Sequence, residues 1–327
     1  VSALERHWYN RTALTVLLRP LSWLFCALVW LRRRAYRLGL LRTTRLSVPV
    51  VVVGNLTVGG TGKTPLVIWV AEHLKRAGYR PGIISRGYGG RAKRWPQQVR
   101  ADADPYVVGD EAVLAARRTG CPMAVGPNRV AAALALLAHA NCDIIISDDG
   151  LQHYALGRDI EIAVVDGVRR FGNGLCLPAG PLREPVSRLA SVDCVVSNGL
   201  AAHDEYRMLY RGDTLRPLES GESPQGLDTL RGREVHAVAG IGNPEHFFAM
   251  LRRHGIKVTD HPFPDHHPYK AGDLDFGDEA PVIMTEKDAV KCRRFARSNH
   301  WYVPVEAELD EAFGAHLLKL LESSNHG

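Results

Sequence analysis

Val50 to Thr64 reads V-V-V-V-G-N-L-T-V-G-G-T-G-K-T. Four consecutive valines predict a buried strand, since an unbroken β-branched run suits a strand covered on both faces. A glycine-rich turn follows, then Lys63 and Thr64, then the helical run P-L-V-I-W-V-A-E-H-L-K-R-A-G. Strand, glycine loop and helix in that order make a phosphate-binding loop. Glycines let backbone N–H groups close round phosphate oxygens at a helix N-terminus, where the macrodipole favours anions. On this reading Thr57, Val58, Gly59, Gly60, Thr61, Gly62, Lys63 and Thr64 wrap a nucleoside triphosphate. Lys63 reaches the β- and γ-phosphates, and the Thr64 hydroxyl ligates Mg²⁺. Thr57 stands where the usual G-x-x-x-x-G-K-[ST] pattern has its first glycine.

Outward from the loop, strand-like runs recur at 48–54, 80–85, 122–126, 143–147, 160–165 and 192–196. Helical patterns separate them, such as Leu66/Val70/Leu74 closed by Gly78, and the alanine- and leucine-rich run at 127–140. The expected fold is α/β, a P-loop NTPase-like parallel sheet covered by helices, with a second, smaller α/β domain and an N-terminal interfacial helix. The second unit is read from a strand at 234–239, a helix at 244–254, a strand at 281–284 and a helix at 286–296. The division expected is 1–47 for the N-terminal region, 48–215 for the kinase-like core, 216–232 for a connection and 233–327 for the smaller unit. No internal repeat or long low-complexity tract is apparent.

The 327 residues are 46 % hydrophobic and 23 % charged, with a net charge of +6. That composition describes a globular chain able to bury a core. The six cysteines are scattered without a C-x-x-C pair, which points to buried hydrophobes in a reduced, cytosolic protein. Residues 12–31 are apolar and rich in Leu and Trp, and three arginines, Arg32 to Arg34, follow. Only Leu21 to Leu31 is free of charge, and eleven helical residues reach about 16 Å, half a hydrocarbon core. Arg19 and Pro20 interrupt a longer span, and no small-residue cleavage site follows. A helix lying in an anionic membrane interface fits best; a helix packed on the protein, or one that spans, is the alternative.

Several polar clusters fall at strand C-termini, where such sheets present ligands. Asp148 and Asp149 follow three isoleucines and suit Mg²⁺ beside the phosphate loop; they also suit a turn. Asp110 and Glu111 open a helix, either as caps or as carboxylates aimed at the crevice. The P-A-G-P-L-R-E-P run at 178–185 presents Arg183 and Glu184, an anion clamp and a metal or base partner. S-R-G-Y-G-G at 85–90 offers Arg86 and Tyr88 for substrate contact. H-P-F-P-D-H-H-P-Y at 261–269 gathers histidines and one aspartate, but without zinc spacing. A His–Asp pair for acid–base work needs no metal.

Together these motifs resemble the tetraacyldisaccharide 4'-kinases, the lipid A 4'-kinases of Gram-negative bacteria. The resemblance rests on G-N-L-T-V-G-G-T-G-K-T-P, S-R-G-Y-G-G, G-D-E, G-P-N-R-V, D-D-G-L-Q-H, P-A-G-P-L-R-E-P, F-P-D-H-H-P-Y and T-E-K-D-A-V-K, in that order. It implies transfer of the ATP γ-phosphate to the 4'-hydroxyl of a tetraacylated disaccharide 1-phosphate at the cytoplasmic face of the inner membrane. It also implies Asp110 as the catalytic carboxylate paired with His266, His267 being the rival, and Lys63 at the transferring phosphate. Thr64, Asp148, Asp149 and Glu184 are the metal set so implied. Asn55, Arg86, Tyr88, Glu111, Arg129, Gln152, His153 and Arg183 are the substrate contacts. The partners implied are the lipid disaccharide and anionic inner-membrane lipid, with no nucleic acid and no obligate protein partner.

A partition-type NTPase is the runner-up, since V-G-G-T-G-K-T is close to its variant loop; the lysine that loop needs is Val58 here. T-E-K-D at 285–288 puts Lys287 one place off a guanine-specificity pattern. The basic stretch belongs to no nucleic-acid module and flanks an apolar helix instead.

Overall fold

The computed structural model describes residues 7–10, 12–219 and 223–324. The strands in chain order are β1 (Val50–Gly54), β2 (Pro81–Ser85), β3 (Gln97–Val99), β4 (Met123–Val125) and β5 (Ile144–Asp148). They continue with β6 (Ile160–Asp166), β7 (Cys194–Asn198), β8 (Tyr206–Arg211), β9 (Thr214–Pro217) and β10 (Gln225–Gly226). The last five are β11 (Glu234–Ala239), β12 (Lys257–Pro262), β13 (Val282–Thr285), β14 (His300–Val303) and β15 (Glu306–Leu309).

The valine run is β1, and all of it is buried. Val50 to Val53 are each at most 1 % exposed, so each contributes about 1.5–3 kcal/mol through burial. The first sheet has the order β15-β8-β7-β6-β1-β5-β2-β4-β3. Seven of its strands are parallel, from β8 to β4, and the antiparallel β15 and β3 close the two edges. One face is covered by the Lys63–Arg76 and Asp110–Thr119 helices, which bring Leu66, Val70, Leu74 and Val113 to the core. The other face carries the Arg129–His139 helix and, partly buried, Phe25 and Cys26 of the N-terminal helix. The second sheet, β10-β9-β14-β13-β11-β12, has its own two cores, around Phe248 and around Tyr269.

Sheet membership corrects the expected division of the chain. β9 and β10, in the expected connection and at its margin, pair into the second sheet. At the other end, β15 returns to pair with β8, and the Glu311–Ser324 helix buries Phe313, Leu317 and Leu321 in the first core. The smaller lobe is therefore inserted between Arg211 and Glu306, and the stretch 306–324, expected in that lobe, belongs to the larger one. Two chain segments cross between the lobes side by side, with Gly212 packed against Val303 and Pro304.

The N-terminal helix runs unbroken from Ala13 to Arg37, through Pro20. It is fastened along a narrow stripe: Ser22 Oγ donates to Cys176 O (2.8 Å), Arg32 to Gln152 O (3.3 Å) and Arg33 to Ser191 Oγ (2.6 Å). Most of its large apolar residues face the other way. Leu14, Val16, Leu17, Leu21, Trp23, Leu24, Leu28, Trp30 and Leu31 are all exposed. Packing on the protein and an uncovered apolar face thus coexist in one helix.

Candidate active site

Parallel pairing sets Val53 of β1 level with Asp148 of β5. The loop leaving β1 and the aspartates ending β5 therefore share one corner of the sheet's C-terminal edge. The loop is held firmly from one side. Val58 N–H donates to Pro181 O (2.8 Å), Arg183 N–H to Leu56 O (2.6 Å), and Thr57 bridges Leu182. Buried Asn55 donates to Thr61 Oγ1 (3.0 Å) and Gly59 O (3.5 Å), while Gln152 donates to Asn55 O (3.1 Å) and Glu184 (3.0 Å). The amide nitrogens of Asn55 and Gln152, two expected substrate contacts, are engaged in shaping the loop, while Asn55 Oδ1 is buried without a partner. Gly59 and Gly60 remain exposed. Gly62 caps the Lys63–Arg76 helix with φ +95°, and a Cβ there would collide with the Tyr210 hydroxyl.

Around the loop lies a charged cluster. Lys63 Nζ is 3.7 Å from Asp149, and Arg183 grips both Asp149 oxygens at 2.9 and 3.0 Å. Burial would raise the Asp149 pKa, but Lys63 and Arg183 hold it below the usual carboxylate range. Buried Arg129 donates to Asp149 O and Gly126 O, each at 3.3 Å. Asp148 behaves oppositely. Burial, reinforced by Glu111 and Asp149, raises its pKa to about 7. Its Oδ2 accepts from Ser85 at 3.4 Å, and its Oδ1 is buried without a hydrogen-bond partner.

An orphaned buried carboxylate oxygen beside Asp149 and Lys63 fits a hard cation. Among the described residues no group of three or more His, Cys, Asp or Glu side chains forms a metal cage. Mg²⁺ does not need one, because it is held by one or two carboxylates together with substrate phosphates and water. Glu184, the fourth expected ligand, has its oxygens otherwise engaged in this structure. They accept from the Tyr154 hydroxyl and the Gln152 amide, with Arg188 at 3.8 Å, in a buried network that Gln152 ties to Asn55 O of the loop.

Asp110 is the first residue of its helix, and its Oδ1 accepts the Glu111 N–H (2.8 Å). It also meets the second lobe. His266 Nδ1 lies 3.1 and 3.0 Å from the two Asp110 oxygens. His266 adopts φ +59° in the loop after β12, and its ring lies 5.1 Å from that of Tyr88. His267 pairs instead with Asp273 at 3.1 Å, so geometry separates the two histidines. Gly109, at φ +99°, lets this helix start against the Tyr88 loop; a Cβ would sit 2.7 Å from Tyr88 O.

Two lysines not anticipated from the motifs complete the corner. Lys287 Nζ reaches Glu111 (3.0 Å), Asp265 (3.1 Å) and His266 Nε2 (3.5 Å). Lys291 Nζ lies 2.8 Å from Asp288 and 3.7 Å from Asp110. Their i,i+4 spacing in T-E-K-D-A-V-K puts both on one helix face, which is the signal that could have found them. Burial opposes ionisation of Asp110, yet the His266 hydrogen bond and the two lysines bring its pKa down to about 2. The Asp110 hydrogen bond in turn raises that of His266, against burial and Lys287.

The remaining expected contacts line the same edge. Arg86 and Tyr88 are exposed beside the Asp110 corner. His153 is partly buried with Nε2 unpaired, and burial, with Arg129 and Arg158 nearby, lowers its pKa to about 4. It is a neutral imidazole at physiological pH.

Comparison with known proteins finds relatives over nearly the whole chain. The family model for tetraacyldisaccharide-1-P 4'-kinase matches residues 14–322. A tetraacyldisaccharide 4'-kinase of Nitrosococcus oceani is 58 % identical over 323 residues, covering 99 % of this chain and 95 % of the relative. One of Alkalilimnicola ehrlichii is 60 % identical over 296 residues, covering 90 % and 89 %. Among solved structures, the LpxK of Aquifex aeolicus in complex with ATP superposes with a TM-score of 0.80 at 29 % identity, covering 94 % of this chain and 99 % of that one.

Proposed function

On the premise that the chain belongs to the tetraacyldisaccharide 4'-kinase family, we propose how its residues divide the work. The reaction is transfer of the ATP γ-phosphate to the 4'-hydroxyl of tetraacyldisaccharide 1-phosphate, a step of lipid A assembly. The observation that carries the assignment of roles is the Asp110–His266 pair, formed across the two lobes.

Backbone N–H groups from Gly59 to Thr64 bind the triphosphate, and Lys63 exchanges Asp149 for the β- and γ-phosphates. Thr64, Asp148 and Asp149 would hold Mg²⁺, which neutralises charge developing on the phosphoryl oxygens. Arg183 and Arg129 fix Asp149 and add positive charge at that corner. A sugar hydroxyl is a poor nucleophile, and Asp110 orients it and accepts its proton. A carboxylate whose pKa is about 2 is a weak base, which suits a loose transition state in which the proton leaves late. His266 holds Asp110 in orientation from the second lobe, so the pair is complete only when the lobes meet. Tyr88, Arg86 and His153 line the approach of the disaccharide.

The exposed apolar face of the N-terminal helix lies on anionic lipid at the cytoplasmic surface of the inner membrane, as a peripheral anchor. Ser22, Arg32 and Arg33 fasten the helix along its length, which favours lying in the interface over spanning. The test is incubation of the purified chain with γ-labelled ATP and the disaccharide lipid. Label should appear in the lipid, and ATP turnover without lipid labelling would overturn the transfer.

A further inference from the structure

Val168 and Leu200 are 78 % and 66 % exposed. The only other large hydrophobics among the described residues at 66 % or more are Leu17, Trp23 and Leu40, in or just beyond the N-terminal helix. Val168 and Leu200 instead cap the loops leaving β6 and β7. Isolated exposed apolar residues are ordinary, but these two are presented together on a fixed polar frame. Asp166 Oδ1 accepts the Val168 and Arg169 amides, each at 2.9 Å, and Gly167 N–H donates to Asn198 O (2.9 Å). Glu205 then ties the loops together. It accepts two bonds from Arg170 (2.7 Å each), one from Ser197 Oγ (2.6 Å) and one from Ala202 N–H (2.9 Å). Asp166, Ser197 and Glu205 are engaged within the frame, and two aliphatic side chains are left outside, with His203 and Asp204 exposed in the second loop.

Two exposed arginines flank these tips. Arg207 donates to Gly199 O (2.9 Å), and the Arg169 guanidinium lies 5.8 Å from the centre of the Tyr9 ring. Close by, Asn173 N–H donates to Trp8 O (2.8 Å). The tips are therefore continuous, through residues 8 and 9, with the start of the N-terminal helix. Aliphatic tips between arginines match a lipid surface bearing negative charge.

We propose that Val168 and Leu200 form a second membrane contact, dipping into the anionic interface beside the N-terminal helix. This rests on the membrane reading given above. A helix alone leaves the molecule free to roll about the helix axis. A second contact off that axis stops the roll and fixes the direction in which the catalytic edge of the sheet faces the lipid substrate.

The experiment is co-sedimentation of the full chain with phosphatidylethanolamine–phosphatidylglycerol vesicles. Val168→Asp with Leu200→Asp should lower partitioning about tenfold, and Val168→Trp with Leu200→Trp should raise it, while the KM for ATP stays unchanged in both. Trp23→Ser with Trp30→Ser tests the helix separately. If that helix variant detaches while both tip variants partition like wild type, the second contact is overturned and the helix reading stands. If the helix variant also binds normally, the membrane reading itself fails. Loss of self-association in the Asp pair, measured by sedimentation velocity without vesicles, would assign the tips to a second copy of the chain and likewise overturn the proposal.

Discussion

Asp110 and His266 are 156 positions apart and share a hydrogen bond, so each should matter through the other. Asp110→Ala should lower kcat by orders of magnitude with little change in either KM, because a proton acceptor acts in the transition state. His266→Ala should cost less, and the double variant should be no slower than Asp110→Ala alone. Steady-state kinetics of the three variants check this, and fully additive losses would give His266 an independent role. Asp148 carries a different expectation. Its folded pKa of about 7 lies above the ordinary aspartate value. A raised folded pKa means stability present at low pH and lost as pH climbs towards 7. Asp148→Asn should therefore melt higher than wild type above pH 7 without ligand, and be inactive. In the wild-type pH–rate profile the acid limb should move to lower pH as Mg²⁺ rises, since the cation competes with the proton. The structure brings Asp110, Lys63 and the aspartate pair, all singled out in the sequence, to one edge of the sheet, because each sits at the end of a strongly patterned element. Glu184 is turned away from Asp149 for a local reason. Adjacent residues on extended chain point opposite ways, so Arg183 reaches Asp149 while Glu184 turns to Tyr154 and Arg188.

Among the elements, the phosphate loop is the most constrained. Lys63→Ala should reduce turnover by at least about a hundredfold, on the scale of one lost transition-state donor. Gly62→Ala faces both a positive φ and the Tyr210 hydroxyl, so ATP affinity should fall in calorimetry. Tyr210→Phe in the same background should recover only the steric share. The β1, β2, β4, β5, β6 and β7 segments were legible because buried parallel strands read as apolar runs. β8 and β15 were not. They alternate exposed charged residues, such as Arg211 and Glu308, with partly buried ones, and they meet only across a long sequence interval. Pro20 also misled, since a helix carried on a protein surface accommodates the one hydrogen bond that proline removes.

Across the whole molecule, an ion-paired seam joins the lobes. Lys287 meets Glu111 at one end of the Asp110–Thr119 helix, and Arg118 binds Glu286 (2.9 Å) near the other. The lysine spacing could mark Lys287, but no local pattern gives the pairing across this seam, because its partners are separated by more than 160 positions. The return of the chain to the first sheet has a practical corollary. Truncation near residue 304 would strip Phe313, Leu317 and Leu321 from the nucleotide core, so an ordinary C-terminal deletion damages the wrong half. The lobe is instead a removable cassette. Its two ends lie together where Gly212 touches Val303 and Pro304, so a short glycine bridge from 212 to 305 should excise it and leave one folded piece. That piece should still bind ATP by calorimetry and, deprived of His266, Lys287 and Lys291, transfer almost none of its γ-phosphate.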